Sequence, residues 1–281
     1  MKKISIILTI AVTILATTAC DPIENRNELS GQTTMAKIDQ LVSVTAEMRD
    51  GVRSNYLLLN ADGMDALCSF DYGVGTYVGT KARVQVVTEG ANTVIFTALN
   101  ADGTKLTKEF TVDVQKCFDV APEWGLFCGS GEKTWVWDDD APVWGNGGYL
   151  ANVAPGWWAV SVGDIDGQAP GEGAGASMIF SVKGSSLTKV KTDGTEIKGT
   201  FAFSFTEKDI IKDSSGEADW ATGTLKTAGV TVLCGINPNA SPKDVTTYNI
   251  LKLDDGHLVL ATAQPNTGAW GEAWFWRFRA K

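Results

Sequence analysis

The sequence predicts an all-β chain built as two successive β-sandwiches, and three observations predict it. Short runs rich in β-branched and aromatic residues recur along most of the chain with Gly, Asp and Asn turns between them, which is the spacing of strands. The second part of the chain carries no convincing helical period, and only Glu207–Ile211 suggests a short helix. All ten tryptophans lie beyond residue 120, so the chain changes character after Cys117 and divides there.

The first elements are an address and a tether. Lys2 and Lys3 precede an apolar stretch from Ile4 to Ala19, which predicts a secretory signal over residues 1–19. The stretch is too short for a stable membrane span. It ends Leu15-Ala16-Thr17-Thr18-Ala19-Cys20, and small residues directly before a cysteine resemble a bacterial lipoprotein cleavage box. That resemblance implies lipidation of Cys20 and a membrane partner reached through acyl chains, each buried CH₂ contributing about 0.8 kcal/mol. Residues 20–36 are polar without hydrophobic period and read as a flexible tether.

Residues 37–117 form the first unit. Leu41–Val44, Tyr56–Leu59, Ala82–Val87, Thr93–Leu99 and Phe110–Val114 read as strands, with Ala61-Asp62-Gly63 and Ala101-Asp102-Gly103 as turns. Strands at this spacing over about eighty residues predict an immunoglobulin-like sandwich. The segment Phe70-Asp71-Tyr72-Gly73-Val74-Gly75-Thr76, followed by Glu89-Gly90-Ala91-Asn92-Thr93-Val94, resembles the PKD family. Phe70 stands at the family's Trp, Val74 at its second Asp and Asn92 at its Tyr.

Residues 118–281 form the second, tryptophan-rich unit. Ser177–Val182, Gly199–Phe205, Val230–Leu233, Tyr248–Leu253, His257–Ala261 and Ala273–Phe278 read as strands, and Asp254-Asp255-Gly256 as a hairpin turn. The expected architecture is an antiparallel, jelly-roll-like β-sandwich. With Lys133–Asp138, the Gly145-Asn146-Gly147-Gly148 loop, Trp157-Trp158 and the closing Gly271–Phe278, the whole chain resembles a recurring type of Bacteroidota outer-membrane lipoprotein from polysaccharide-utilisation systems. That resemblance implies a surface-exposed glycan-binding protein working beside hydrolase and transporter components.

The aromatic residues divide by context. Trp274, Trp276 and Phe278 share one face of the last strand by period two, opposite Phe275, Arg277 and Arg279, and are expected in the core with Trp135 and Trp137. Trp144, Trp157 and Trp270 sit among glycines and prolines, where a large ring is hard to bury. They are expected to stack on the C–H face of a neutral sugar, a β-glucan being the leading case. Tyr149, Asn146, Gln168 and Glu272 are expected as polar companions, and Trp158, adjacent to Trp157, as a core residue.

Other chemistries are poorly supplied. The excess of 33 Asp and Glu over 24 Lys and Arg repels nucleic-acid phosphates. The single histidine, His257, excludes a His-rich metal cage. No catalytic residue is expected, although a glycoside hydrolase with an unrecognised carboxylate pair, or a structural surface protein that binds another protein, remains an alternative. No cofactor is expected beyond Ca²⁺ at Asp138-Asp139-Asp140 or Asp164-Ile165-Asp166. Cys68, Cys117, Cys128 and Cys234 are either small buried hydrophobes or, for Cys117 with Cys128, a bond across the linker.

Overall fold

The computed structural model describes residues 32–281. The signal segment, Cys20 and most of the tether lie outside the described residues.

The first unit opens with α1 (Met35–Leu41), whose first turn is capped by the Thr34 hydroxyl accepting from the Lys37 amide at 3.3 Å. This helix starts inside the stretch expected as tether and takes in Leu41, expected as strand. Thr33 anchors its entry through an amide donated to Asn100 at 3.0 Å. Seven strands follow in two antiparallel sheets. β1 (Ser43–Arg49), β2 (Val52–Asn60) and β5 (Lys81–Gln85) form one, in the order β1-β2-β5. β3 (Leu67–Asp71), β4 (Thr76–Val78), β6 (Gly90–Leu99) and β7 (Lys105–Val114) form the other, in the order β4-β3-β6-β7. Alternation decides which face is buried: Val94, Phe96 and Ala98 of β6 point into the core beside Leu57, Phe70 and Val114, while Ile95 and Leu99 face out.

A short linker leads to α2 (Glu123–Cys128). It is held without a disulfide. The buried Asn55 side chain accepts from the Phe118 amide at 2.8 Å and donates to the Phe118 carbonyl at 3.1 Å. Arg49 and Tyr56 reach Asp119 at 2.5 and 3.0 Å. All four described cysteines are free thiols, so the expected option of a Cys117–Cys128 bond is not taken up.

The second unit contains β8 (Glu132–Trp137), β9 (Trp144–Gly148), β10 (Trp158–Val160), β11 (Ser177–Ser181), β12 (Ser186–Val190), β13 (Glu196–Ser204), β14 (Ile211–Lys212), β15 (Asp219–Ala221), β16 (Gly223–Ala228), β17 (Thr247–Leu253), β18 (His257–Ala263) and β19 (Glu272–Ala280). Here the all-β expectation holds and the jelly roll does not. Strands β8, β11, β12, β13, β16, β17, β18 and β19 pair antiparallel, each with the next, and β19 closes on β8, giving an eight-stranded up-and-down barrel. A jelly roll would need two facing sheets joined by crossing connections. The closure depends on β19 pairing twice along one edge, with β9 through Glu272–Trp276 and with β8 through Phe278–Ala280.

An eight-stranded barrel is narrow enough for side chains to fill. Trp135, Trp137, Phe180, Leu225, Tyr248, Trp276 and Phe278 are all buried in its core, as expected for the tryptophans of β8 and β19. Val230–Leu233, expected as a strand, is an irregular segment whose Val230, Val232 and Leu233 pack into the same core. On the outer face of β19, Phe275 is buried as well, because the β14–β15 pair lays Trp220 and Ala221 over it. The short helix expected near residue 207 is a single 3₁₀ turn, Glu207–Asp209, whose Asp209 is held to about 2 by hydrogen bonds from Ser204 and Thr206.

Candidate functional site

The site is built where β9 lies between β10 and β19. In an antiparallel sheet, directly opposed residues share a face. Asn146 opposes both Trp158 and Trp274, Trp144 opposes Trp276, and Gly148 opposes Glu272. One face of this strip therefore carries rings toward the barrel interior and polar groups toward its rim.

Glycine makes the strip possible. A side chain at Gly145 would meet the Trp158 carbonyl at 2.1 Å, so only glycine lets β10 close against β9. That approach buries Trp144 completely, tilted against Trp274 at 4.8 Å between centroids. The expectation of Trp144 as a sugar platform is corrected: its flanking glycines bring backbone over the ring instead of leaving it bare. Trp158, expected in the core, is 43% exposed because β10 is a three-residue edge strand that pairs, among the described residues, only with β9. Its ring stands edge-on to Trp144 and Trp274 at 5.5 and 5.9 Å.

At the rim, Asn146 Nδ2 donates to Glu272 Oε1 at 2.7 Å. Asn239 Nδ2 approaches the same carboxylate, at 2.8 Å to Oε1 and 3.1 Å to Oε2. The Asn146 amide oxygen accepts from the Trp158 backbone at 3.0 Å, so the polar cluster is tied to the exposed ring. Glu272 is thus held as an acceptor by two amides, with Oε1 taking two of the three contacts and Oε2 one.

Trp270 forms the other flank. It is 62% exposed and sits at φ +68, a left-handed conformation that costs a bulky residue roughly 1–3 kcal/mol. Two backbone bonds keep it there: the Trp270 amide donates to the Tyr149 carbonyl at 2.9 Å, and the Tyr149 amide to the Gly271 carbonyl at 2.7 Å. Its ring lies over Gly148, where an added side chain would come within 3.1 Å of it. Two exposed indoles therefore adjoin the amide–carboxylate–amide cluster: Trp158 opposes Asn146 across the sheet, and Trp270 lies against Gly148, the residue opposite Glu272.

Trp157, 54% exposed, adjoins the cluster through its amide, which donates to the Asn146 carbonyl at 3.0 Å, although no ring contact among the described residues joins it to Trp158 or Trp270. The remaining expected residues fall elsewhere. Tyr149 packs edge-on against Trp220 at 5.0 Å and supports Trp270 through its backbone, so its ring belongs to the outer cluster. Gln168 is exposed at the end of the 3₁₀ turn Val162–Gly167, and no contact places it at this surface. Asn239 was missed by sequence reasoning. The signal available was the Asn237-Pro238-Asn239 run, whose first side chain accepts from the Asn239 amide at 2.9 Å and sets the turn.

The aspartate runs already have protein partners. Asp138 pairs with Arg277 at 2.8 Å, Asp139 with Arg279 at 3.0 Å, Asp164 accepts from Ser161 at 2.7 Å and Asp166 from the Gly173 amide at 2.9 Å. Among the described residues no group of three or more His, Cys, Asp or Glu is arranged to hold a metal. A buried pair, Lys189 and Glu172, meets at 2.9 Å, with Thr231 accepting from the ammonium at 2.8 Å and the Cys234 amide donating to the carboxylate at 2.7 Å. Burial pulls the Lys189 ammonium below its ordinary range while Glu172 opposes the shift. The pair is internally satisfied and reads as structural.

A cleft of about 600 Å³ lies between the two units, lined by Tyr72, Val74, Asn92, Glu132 and Lys183 among others. Its only ring is the half-buried Tyr72, so it lacks the flat exposed platform that the β9–β10–β19 surface provides. No protein-family model matches the chain, and no curated protein matches it.

Proposed function

We propose that the chain binds a neutral polysaccharide at the surface bounded by Trp158 and Trp270. The observation that carries this reading is two exposed indoles beside the Asn146–Glu272–Asn239 cluster, Trp158 opposite Asn146 and Trp270 against Gly148, which opposes Glu272. An indole face suits the C–H face of a pyranose, and fixed amide and carboxylate groups suit its hydroxyls. The left-handed Trp270 supports the same reading, because backbone strain retained at an exposed ring is explained by a use for that ring. Trp157 extends the surface as a separate exposed ring.

In this proposal the chain is an outer-membrane lipoprotein anchored through Cys20, and its first unit is a PKD-like immunoglobulin-type spacer. The linker held by Asn55 and Asp119 makes that spacer stiff. Single stacking sites of this kind give roughly micromolar to millimolar affinity, and many anchored copies on one polymer raise the avidity. Captured glycan passes to neighbouring hydrolase and transporter components. The test is gel mobility of the chain through a panel of soluble neutral polysaccharides, with reducing ends assayed on the same samples. Retardation without new reducing ends supports the reading, release of ends favours the hydrolase alternative, and no retardation across the panel overturns binding.

A further inference from the structure

Four tryptophans place their indole N–H on a carbonyl: Trp135 on Phe127 at 3.0 Å, Trp137 on Glu172 at 2.7 Å, Trp220 on Asn152 at 2.6 Å and Trp276 on Cys234 at 2.8 Å. Trp144 and Trp274 do not. Their Nε1 atoms are buried and have no hydrogen-bond partner among the described residues, although the residues are only 0% and 3% exposed. A buried donor without an acceptor costs about 1–3 kcal/mol, and these two rings are neighbours at 4.8 Å. The two costs fall on adjacent rings that both touch Trp158.

Trp158 is the only one of the three rings that solvent reaches appreciably, and it contacts both of the others edge-on. It is carried by the three-residue edge strand β10. Turning this one side chain outward would vacate the volume of an indole beside both rings, more than an acetyl group occupies. The space would be lined by the two rings whose N–H donors are unpaired. A hydroxyl entering it would bring a proton with no acceptor, whereas a carbonyl only accepts and can take an indole N–H. Its methyl group would lie against the rings.

We propose that Trp144 and Trp274 form an acetyl-reading subsite behind Trp158, accepting the carbonyl of an acetamido or O-acetyl group on the bound sugar. This deepens the glycan-binding reading and rests on it. The two sources share the carbonyl–methyl chemistry and are separated by experiment.

The test is calorimetric titration of the full chain, in a detergent without a sugar headgroup, using ligand pairs with and without an acetamido or O-acetyl group. One pair is a β-1,4-linked N-acetylglucosamine tetramer and the glucose tetramer of the same linkage; the other is an acetylated xylan before and after alkaline deacetylation. The acetylated member of at least one pair is expected to bind roughly tenfold more tightly, and Trp144→Phe or Trp274→Phe, which delete the N–H and keep a ring, to abolish that preference while leaving the unacetylated ligand's affinity unchanged. Preference in the first pair identifies an amino sugar, and in the second an ester. Where a variant fails to fold, the wild-type indole N–H spectrum decides, since only the acetylated ligand should move two of the ten signals downfield. Equal binding of both members in both pairs, or a preference that survives both substitutions, overturns the subsite and leaves the glycan-binding reading standing. Failure of every glycan to bind overturns both.

Discussion

Asn146 on β9 and Glu272 on β19 are joined side chain to side chain at 2.7 Å, and the same carboxylate receives Asn239 from a distant loop at 2.8 Å. One acidic residue thus fixes the rotamers of two amides beside an exposed ring. Glu272→Ala is expected to release both amides and weaken glycan affinity roughly tenfold or more, with thermal stability nearly unchanged because the cluster lies at the rim. Titration calorimetry and a melting curve on the same sample separate the two effects.

Gly148 sits beneath Trp270, where a methyl group would come within 3.1 Å of the ring and 3.2 Å of the Asn152 side chain. Gly148→Ala should therefore push the exposed indole aside by a few tenths of an ångström. The expected result is a shifted tryptophan emission spectrum and reduced glycan affinity in a protein that still unfolds cooperatively.

Asn55 closes the linker through Phe118 and also donates to the Val86 carbonyl at 2.8 Å. Asn55→Ala leaves buried backbone groups unpaired and should lower unfolding stability by at least about 2 kcal/mol. Urea denaturation measures this. Small-angle scattering should show a broader distribution of distances between the two units than in the parent protein.

The buried thiols predict alkaline sensitivity. Burial pushes Cys128 up to about 12 from an ordinary value of 9.0, and raises Cys68 and Cys234 as well. Because the folded values are raised, this contribution to stability is complete below the ordinary thiol range and is lost as pH rises through the window toward about 12, where the unfolded chain gives up its protons first. Urea midpoints should fall across the lower part of that window, and fall less steeply in Cys128→Ala, whatever that variant's stability at neutral pH.

The sequence carried the strands and their inward faces well, because alternation is a local signal: Trp274 and Trp276 read as core from their period and are core. It carried barrel closure poorly, since nothing local marks β19 as pairing with β9 along one half and β8 along the other. Trp144 and Trp158 were exchanged for a related reason. Gly145 looked like loose loop, yet its missing side chain admits the neighbouring backbone, a contact visible only once β10 is placed. Glu272 and Asn146 were legible as polar neighbours of tryptophan, while Asn239 comes from a loop more than thirty residues away and could not be paired with Glu272 by spacing.

The most direct test is a side-by-side calorimetric titration of the parent protein, Trp158→Ala, Trp270→Ala and Trp144→Ala with the neutral glycan that binds best. The account predicts that the Trp158 and Trp270 variants fold like the parent and lose most of the affinity, while Trp144→Ala is destabilised by about 3–5 kcal/mol. Undiminished affinity in both the Trp158 and the Trp270 variants would contradict the assignment of this surface as the glycan platform.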